Sequence, residues 1–420
     1  MKIRVSSGVR QGLRAILDHR GRRFLASGVI IGMSILLLLL VNPIFFRFAS
    51  SAEPGPIKIG VLEPLSGVYT NLGEHALRGM KTCFEQRGWT VAGRKIEVIA
   101  EDTELNPQVT MRKARKLVEK DEIDLLLGLM NSPMGVPVKD YAAKVKRVFV
   151  ACGAGSDPNF KKANNTPYGF GARPSNWQIS ATMGRWLAKS KGYKRVFITG
   201  PDYALGQDMS VDFKDGWSKA GGPKPIAEVL APINTNDFAP YLTQIKNAAP
   251  EAVFASFAGG DAVRFVKQFY EFGLSKKILL TGFGYLTEED VILAEGDAAV
   301  GVHTTFCSAY GVNTPENKAF KEYYEKHYHA TPTADDYVGY GGALAVYEAL
   351  KKVGGNTKDQ LALSKTIQKG VVMTPYGKLR FDPETNNGIF DIHVREVRKV
   401  DGKIHNYVVD TMKDIVAPHD

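Results

Sequence analysis

The chain has 420 residues, more than a single hydrophobic core normally holds, so we expect two domains. Its formal net charge of +10 is concentrated at the N-terminus, where residues 1–52 hold eight basic residues and one acidic residue. Residues 53–420 hold 46 basic and 43 acidic residues, so the body of the protein is close to neutral. Because no basic stripe remains to neutralise phosphates, we expect no nucleic-acid partner.

The N-terminal charge precedes a long apolar run and is typical of a targeting segment. Basic residues lead into the apolar residues 24–46, and Ser50 and Ala52 fit a small-x-small peptidase site. We expect an export signal (a signal peptide) that is cleaved after Ala52. Because the apolar run is long, an uncleaved anchor in the inner membrane, with its basic end in the cytoplasm, is the alternative. Both interpretations place residues 53–420 in the periplasm.

The cysteines and the standard catalytic motifs give no sign of an enzyme. Cys83, Cys152 and Cys307 are far apart and form no CxxC motif, so we expect buried free thiols, with room for one disulfide in an oxidising compartment. The sequence contains no P-loop, no GxSxG elbow and no HExxH motif. We therefore expect no catalysis, no cofactor and no metal.

In chain order, the mature region first alternates short apolar runs with amphipathic segments. The apolar runs predict strands at 57–62, 95–100, 123–128 and 147–151. The amphipathic segments predict helices at 73–87 and 107–120. This alternation is typical of right-handed crossovers in a parallel sheet.

After residue 177 the same alternation begins again. It predicts strands at 195–200, 226–231, 252–257 and 277–282, with helices at 206–220, 237–248 and 260–272. The chain then runs through GVHTTFC (301–307) to helices at 315–328 and 340–353, and it ends in a hairpin around Asp401-Gly402. The pattern indicates an α/β protein with two similar units and more than one crossing of the chain between them.

Several stretches resemble the branched-chain amino-acid and amide receptors of ABC transporters, the leucine-binding-protein-like group of type I periplasmic binding proteins. They are IKIGVLEPLSGVYTNLGEHALRGM (57–80), FGARPSNWQISATM (170–183) and YGKLRFD (376–382). The resemblance covers about residues 57–412. It implies two lobes, each a parallel sheet flanked by helices, joined by a three-crossover hinge. Lobe 1 would comprise residues 57–174 plus 303–376, and lobe 2 residues 175–302 plus 377–415.

The resemblance also implies a function. Such receptors are monomers that capture a small solute between the lobes and deliver it to an ABC permease and its ATPase. In this family the ligand carboxylate is usually held at the positions of Ser132 and Gly153–Gly155, where small residues permit close backbone approach. The facing loops are unusually aromatic, which suits an apolar or aromatic ligand body. The full set of predicted ligand-binding residues is Leu72, Ser132, Gly153, Ala154, Gly155, Tyr203, Leu205, Phe257, Ala258, Phe283, Tyr285 and Tyr337.

One departure from the family pattern concerns the ligand's charge. Amino-acid receptors usually present a carboxylate to the ligand ammonium after the strand at 277–281, where this chain has Gly282-Phe283-Gly284. Burying an ammonium without a partner is costly, so we expect a carboxylate ligand that lacks an α-ammonium. Asp261 or Asp336 could supply the missing charge, which keeps a branched-chain amino-acid receptor as the alternative. A ligand sensor of the same fold is a further alternative.

Overall fold

The computed structural model describes residues 55–130 and 132–419. The predicted export signal or anchor, including the cleavage site after Ala52, lies outside the described residues. Within the described ranges, no helix combines the length and the apolar character needed to cross a membrane.

The first sheet is parallel except at one edge. Its strand order is β2-β3-β1-β4-β5-β6, and only β2 pairs antiparallel with its neighbour. The bounds are β1 (Ile57–Glu63), β2 (Thr90–Val91), β3 (Arg94–Asp102), β4 (Leu125–Gly128), β5 (Phe149–Ala151) and β6 (Gly169–Gly171). Strands β4 to β6 are buried along their whole length, as expected for a parallel sheet covered on both faces.

The second sheet has the order β12-β13-β14-β11-β10-β9-β7-β8, with β15 paired to β14. The bounds are β7 (Val196–Pro201), β8 (Ala227–Ala231), β9 (Ala252–Ala255), β10 (Leu279–Phe283), β11 (His303–Phe306), β12 (Val371–Thr374), β13 (Gly377–Phe381), β14 (Gly388–Val400) and β15 (Lys403–Ile415). Strands β7 to β11 run parallel, and β14 joins β11 antiparallel. The predicted hairpin turn at Asp401-Gly402 is present, with φ of +51° and +78°.

This pairing corrects one feature of the predicted lobes. Residues 303–376 were expected in the first lobe, but β11 and β12 lie in the second sheet. The reason is that β11 extends the parallel order beside β10, and β12 pairs with β13. The two-lobed α/β architecture is confirmed, while the exact lobe bounds stay a prediction.

The helices cover the faces of both sheets. Their bounds are α1 (Thr70–Glu85), α2 (Pro107–Glu119), α3 (Gly135–Lys144), α4 (Asn176–Lys189), α5 (Ala204–Lys219), α6 (Ala239–Ala248), α7 (Gly259–Glu271), α8 (Glu289–Glu295), α9 (Pro315–Tyr328), α10 (Ala334–Lys352) and α11 (Gln360–Gln368). Helix α10 begins six residues before its predicted start, because Thr333 and Asp336 form a capping box. A Cβ at Gly79 of α1 would overlap the carbonyl of Asp336, so this glycine lets α1 and α10 approach closely.

The three cysteines lie in the core. Cys83, Cys152 and Cys307 are buried free thiols, which confirms the prediction. Burial raises the pKa of the Cys83 thiol to about 12, so this group stays protonated at physiological pH.

Candidate functional site

Each sheet reverses its strand order once, and these reversals locate the site. In the first sheet β1 lies between β3 and β4, and in the second β7 lies between β8 and β9. Ligands of open α/β sheets bind at the carboxyl ends of the strands beside such a reversal. The relevant loops therefore follow β1, β4 and β5 in the first sheet and β7, β9 and β10 in the second.

Glu63, at the end of β1, fixes the loop after β4. Its carboxylate accepts hydrogen bonds from the backbone N–H of Leu129 (3.0 Å) and of Met130 (2.9 Å). The side chain is fully buried, and this burial raises the pKa of the carboxyl well above its usual range, although the two backbone bonds oppose the change. Sequence reasoning missed Glu63, but an acidic residue at the end of an otherwise apolar strand was a usable signal.

Ser132 joins the loop after β4 to the loop after β5. Its Oγ accepts hydrogen bonds from the backbone N–H of Gly155 (3.0 Å) and of Ser156 (3.2 Å). A Cβ at Gly153 would overlap the side chain of Met130, so only glycine fits there. The predicted carboxylate-holding residues Ser132 and Gly155 are thus brought together, with both N–H groups used by the hydroxyl oxygen. The Ser132 hydroxyl has one hydrogen of its own, which can be donated to an oxyanion.

Arg173 lies directly behind this loop. Its guanidinium packs so closely on Gly155 that a Cβ at that glycine would overlap Nη1. The side chain is 6% exposed. Its guanidinium carbon lies 5.9 Å from the ring centre of Tyr285 and 5.8 Å from that of Phe306. Arg173 lies in the family motif at residues 170–183, but no role was predicted for it.

An aromatic group from the second sheet faces Arg173. The ring centres of Phe283 and Tyr285 are 5.6 Å apart, and Tyr285 meets Phe306 edge-on at 5.8 Å. The hydroxyl of Tyr285 donates to Asp335 at the start of α10 (2.6 Å). Burial raises the pKa of Tyr285 well above its usual range, so its hydroxyl is a donor at all physiological pH values. Phe283, 2% exposed, and Tyr285 thus form an aromatic cluster beside Arg173, and their contact with a ligand stays a prediction.

A pair of tyrosines connects the loop after β1 with the loop after β7. Tyr203 is hydrogen-bonded to Tyr69, and burial, together with Tyr69, raises the pKa of Tyr203 to about 12. The two side chains are 38% and 42% exposed, so they lie at the surface. Tyr69 was missed because nothing in its local sequence distinguishes it from a turn residue. The predicted residues Leu72, Leu205 and Ala258 are half-buried and pack against the same core cluster that contains Phe283.

Comparison with known proteins shows the family to which this chain belongs. The sequence model of a family described as periplasmic binding protein matches residues 56–403. The chain belongs to the periplasmic binding protein family. This membership confirms the predicted family and implies export to the periplasm.

Known relatives span nearly the whole of this periplasmic binding protein. A Leu/Ile/Val-binding protein homolog 6 from Brucella melitensis is 29% identical over 384 residues, covering 90% of this chain and 97% of the relative. An ABC transporter substrate-binding protein from Sphaerobacter thermophilus has a TM-score of 0.82 and 33% identity, covering 86% of this chain and 98% of that one. A solute-binding protein of an ABC transporter from Rhodopseudomonas palustris, solved with 3,4-dihydroxybenzoic acid, has a TM-score of 0.77 and 31% identity, covering 86% and 98%.

Two residues predicted to bind ligand lie in the core instead. The ring of Phe257 is fully buried, with its centre 5.1 Å from that of Phe238 and 4.7 Å from that of Phe265. Tyr337 packs on Phe320 at 5.0 Å, and its hydroxyl donates to Asn317 (2.8 Å). The expectation that Phe257 forms a wall and Tyr337 rims the cleft is therefore corrected, because internal packing satisfies both side chains.

The two carboxylates considered for an ammonium group already have partners in this periplasmic binding protein. Asp261 pairs with Arg264 and accepts from the backbone N–H of Asn234 (3.0 Å). Asp336 accepts from Tyr324 (2.7 Å) and is paired with His75 (2.7 Å). Burial lowers the pKa of His75, but the hydrogen bond and charge of Asp336 outweigh it, so the pKa is raised and the pair is favoured.

Proposed function

We propose that this protein is an extracytoplasmic receptor that binds an aromatic carboxylate without an α-ammonium group and delivers it to an ABC permease. The observation that carries the proposal is that the loop of Ser132 and Gly155 meets the rings of Tyr285 and Phe306 across the cation of Arg173. Catalysis plays no part in this function, and the energy for transport comes from the ATPase of the partner transporter.

The charge of the site supports a ligand without an ammonium group. Asp261 is held by Arg264, and Asp336 belongs to the network of His75 and the start of α10. Releasing either carboxylate for a ligand would leave its present cationic partner uncompensated. Burying an ammonium without a carboxylate costs several kcal/mol, so an α-amino acid binds at a disadvantage.

The shape of the site supports an aromatic body. Phe283 ends β10 and packs against Tyr285, and Tyr285 lies near the loop that carries Gly155 because Arg173 is close to both. A ring seated on such a wall gains its buried area plus about 0.5–1.5 kcal/mol from ring pairing. The Rhodopseudomonas palustris relative, which was solved with 3,4-dihydroxybenzoic acid, is in line with this choice.

The name of the Brucella relative favours the second candidate, a branched-chain amino-acid receptor. The ligands of the two candidate functions differ in one charged group, the α-ammonium. Pairs of ligands that differ only in this group therefore distinguish the two functions. 3-Phenylpropionate and L-phenylalanine differ only in the α-ammonium, and so do 4-methylpentanoate and L-leucine.

Ligand capture would proceed by population shift between open and closed arrangements of the lobes. A ligand that touches the loops of both sheets favours the closed arrangement by its additional contacts there. The Tyr69–Tyr203 hydrogen bond joins those loops at the surface and would close over the bound ligand.

The test is a thermal-shift and calorimetric screen of the purified protein, unfolded and refolded to remove any carried ligand. The panel contains benzoate, 4-hydroxybenzoate and the two matched pairs. A ligand at 100 times its dissociation constant stabilises the protein by about 2.7 kcal/mol. We expect a shift with the carboxylates that lack the ammonium group. A larger shift with L-leucine than with 4-methylpentanoate would overturn the proposal and establish the amino-acid receptor.

A further inference from the structure

We propose that Arg173 is the residue that selects an anionic ligand, because its guanidinium is buried between the loop of Ser132 and Gly155 and the rings of Tyr285 and Phe306, with no ion pair to an acidic residue within 55–130 or 132–419. This inference rests on the proposed function and deepens it. It assigns the specificity for a carboxylate to a charged side chain, in addition to the hydroxyl of Ser132.

The first support is the unsatisfied state of Arg173. The Nε atom is buried and has no hydrogen-bond partner in the described part of the chain. Nη1 forms a long bond, 3.3 Å, to the carbonyl of the neighbouring Pro174. Buried guanidinium groups normally have a carboxylate and a full set of acceptors, because an unpaired buried charge is costly. Arg173 is therefore arranged as a group that acquires its partner from outside the chain.

A second buried arginine of the same protein provides the contrast. Arg395, 1% exposed, donates from Nε to Thr304 (3.1 Å), from Nη1 to the carbonyl of Ser308 (3.1 Å) and from Nη2 to the carbonyl of Gly284 (2.8 Å). It also pairs with Glu288 at 3.3 Å. Arg395 is a structural arginine with every part of its guanidinium occupied, and Arg173 lacks these contacts.

The second support is location. The guanidinium of Arg173 touches Gly155, whose N–H is bonded to Ser132, and whose carbonyl accepts from the N–H of Asn176 (2.9 Å). On its other side lie the rings of Tyr285 and Phe306. A carboxylate that accepts from the Ser132 hydroxyl is thus close to the cation of Arg173, and an aromatic body attached to it is close to the two rings.

The acidic groups nearest to Arg173 are engaged elsewhere. Asp335 accepts the hydrogen bond of Tyr285, and Glu288 accepts from the backbone N–H of Ala334 (2.8 Å) and pairs with Arg395. These carboxylates reduce the positive potential around Arg173, but within the described residues neither forms a hydrogen bond or an ion pair with it. A ligand carboxylate would be the first group to bond Nε directly.

The experiment measures the dissociation constants of benzoate and benzamide, which have the same ring but differ in charge. Both are determined by calorimetry for the wild type, R173M, R173K and the matched control R185M. Arg185 lies on α4 over the ring of Trp177, 4.7 Å from its centre, and is a half-buried arginine like the target in type but not among the residues proposed for the site. The thermal stability of each ligand-free protein is measured in parallel.

We expect the wild type and R185M to bind benzoate about 100-fold more tightly than benzamide. In R173M the benzoate affinity should fall by about 30-fold or more, while the benzamide affinity should change by less than about threefold. R173K retains the charge but not the planar donor, so it should keep part of the preference. Ligand-free R173M should be as stable as the wild type or more stable, because an unpaired buried charge has been removed.

An R173M protein that keeps the wild-type ratio of benzoate to benzamide affinity would overturn the inference. So would an R173M protein that loses both ligands equally and is less stable without ligand, since this pattern identifies a structural arginine. If R173M does not fold, R173K decides: an unchanged affinity ratio refutes the role of Arg173. A wild type that binds L-leucine in preference to benzoate refutes the proposed function itself, whereas a wild type that prefers benzoate with no effect of R173M refutes only this inference.

Discussion

Replacing Ser132 by alanine removes the atom that joins the two loops of the first sheet. The Oγ of Ser132 accepts from two backbone N–H groups at 3.0 and 3.2 Å in a half-buried position. A hydrogen bond of this kind contributes about 1 kcal/mol, and water can partly replace the lost acceptor. We expect S132A to lower the free energy of unfolding by about 1–2 kcal/mol.

The same change removes a hydroxyl donor from the proposed carboxylate site. Losing one hydrogen bond to a charged group weakens binding by about tenfold or more, since about 1.4 kcal/mol corresponds to a factor of ten. Urea denaturation gives the change in stability, and calorimetry with benzoate gives the change in affinity. The control is S218A, because Ser218 is exposed on α5 and its hydroxyl donates only within its own helix. A benzoate affinity within twofold of the wild type, in an S132A protein that is less stable, would show that Ser132 has only a structural role.

Three further changes test other parts of the structure. Both carboxylate oxygens of Glu295 are buried and find no hydrogen-bond partner among the residues that the structure describes. Burial raises the pKa of Glu295 to about 8, so the folded protein holds a proton that the unfolded chain releases above about pH 4.5. E295Q should therefore raise the free energy of unfolding by about 4 kcal/mol at pH 8 and leave it unchanged at pH 4 in urea titrations, and an equal gain at both pH values would contradict this account. F257A should cost about 3–5 kcal/mol of stability in the same assay and leave the benzoate affinity unchanged, whereas a weaker affinity with intact stability would return Phe257 to the ligand site. Y203F should accelerate benzoate dissociation about threefold in stopped-flow experiments with a stability change below about 0.5 kcal/mol, and an unaltered dissociation rate would exclude the Tyr69–Tyr203 pair as a closure.

The sheet strands were predictable because their signal is local. The apolar runs at 57–62 and 195–200 became Ile57–Glu63 and Val196–Pro201, within one residue at each end. Strands of a parallel sheet are buried on both faces and therefore read as continuous apolar runs. Helix α10 shows the limit of this approach, because its start depends on a polar cap and not on its apolar pattern.

The membership of strands in a sheet was not predictable from the same signal. Strand β11 has the sequence HTTF, which carries little apolar signal, and its place is decided by β10 on one side and by β14, some 90 residues later, on the other. The aromatic residues after the strands pose the same problem. Phe257 lies just after β9 and Phe283 at the end of β10, yet Phe257 is enclosed by Phe238 and Phe265, while Phe283 lies beside Tyr285.

The amino-acid sequence by itself determined the family, the α/β alternation and the loops that carry Ser132 and Gly153–Gly155, because each of these depends on neighbours in the chain or on a short motif. Only the tertiary structure decided which side chains share the site. Tyr69 meets Tyr203, and Arg173 meets Gly155, Tyr285 and Phe306, across separations in the chain that no periodicity encodes. The charge balance of the site is likewise a tertiary property. A buried arginine without an ion pair differs from a buried arginine with one only in the groups that the fold brings within hydrogen-bonding distance.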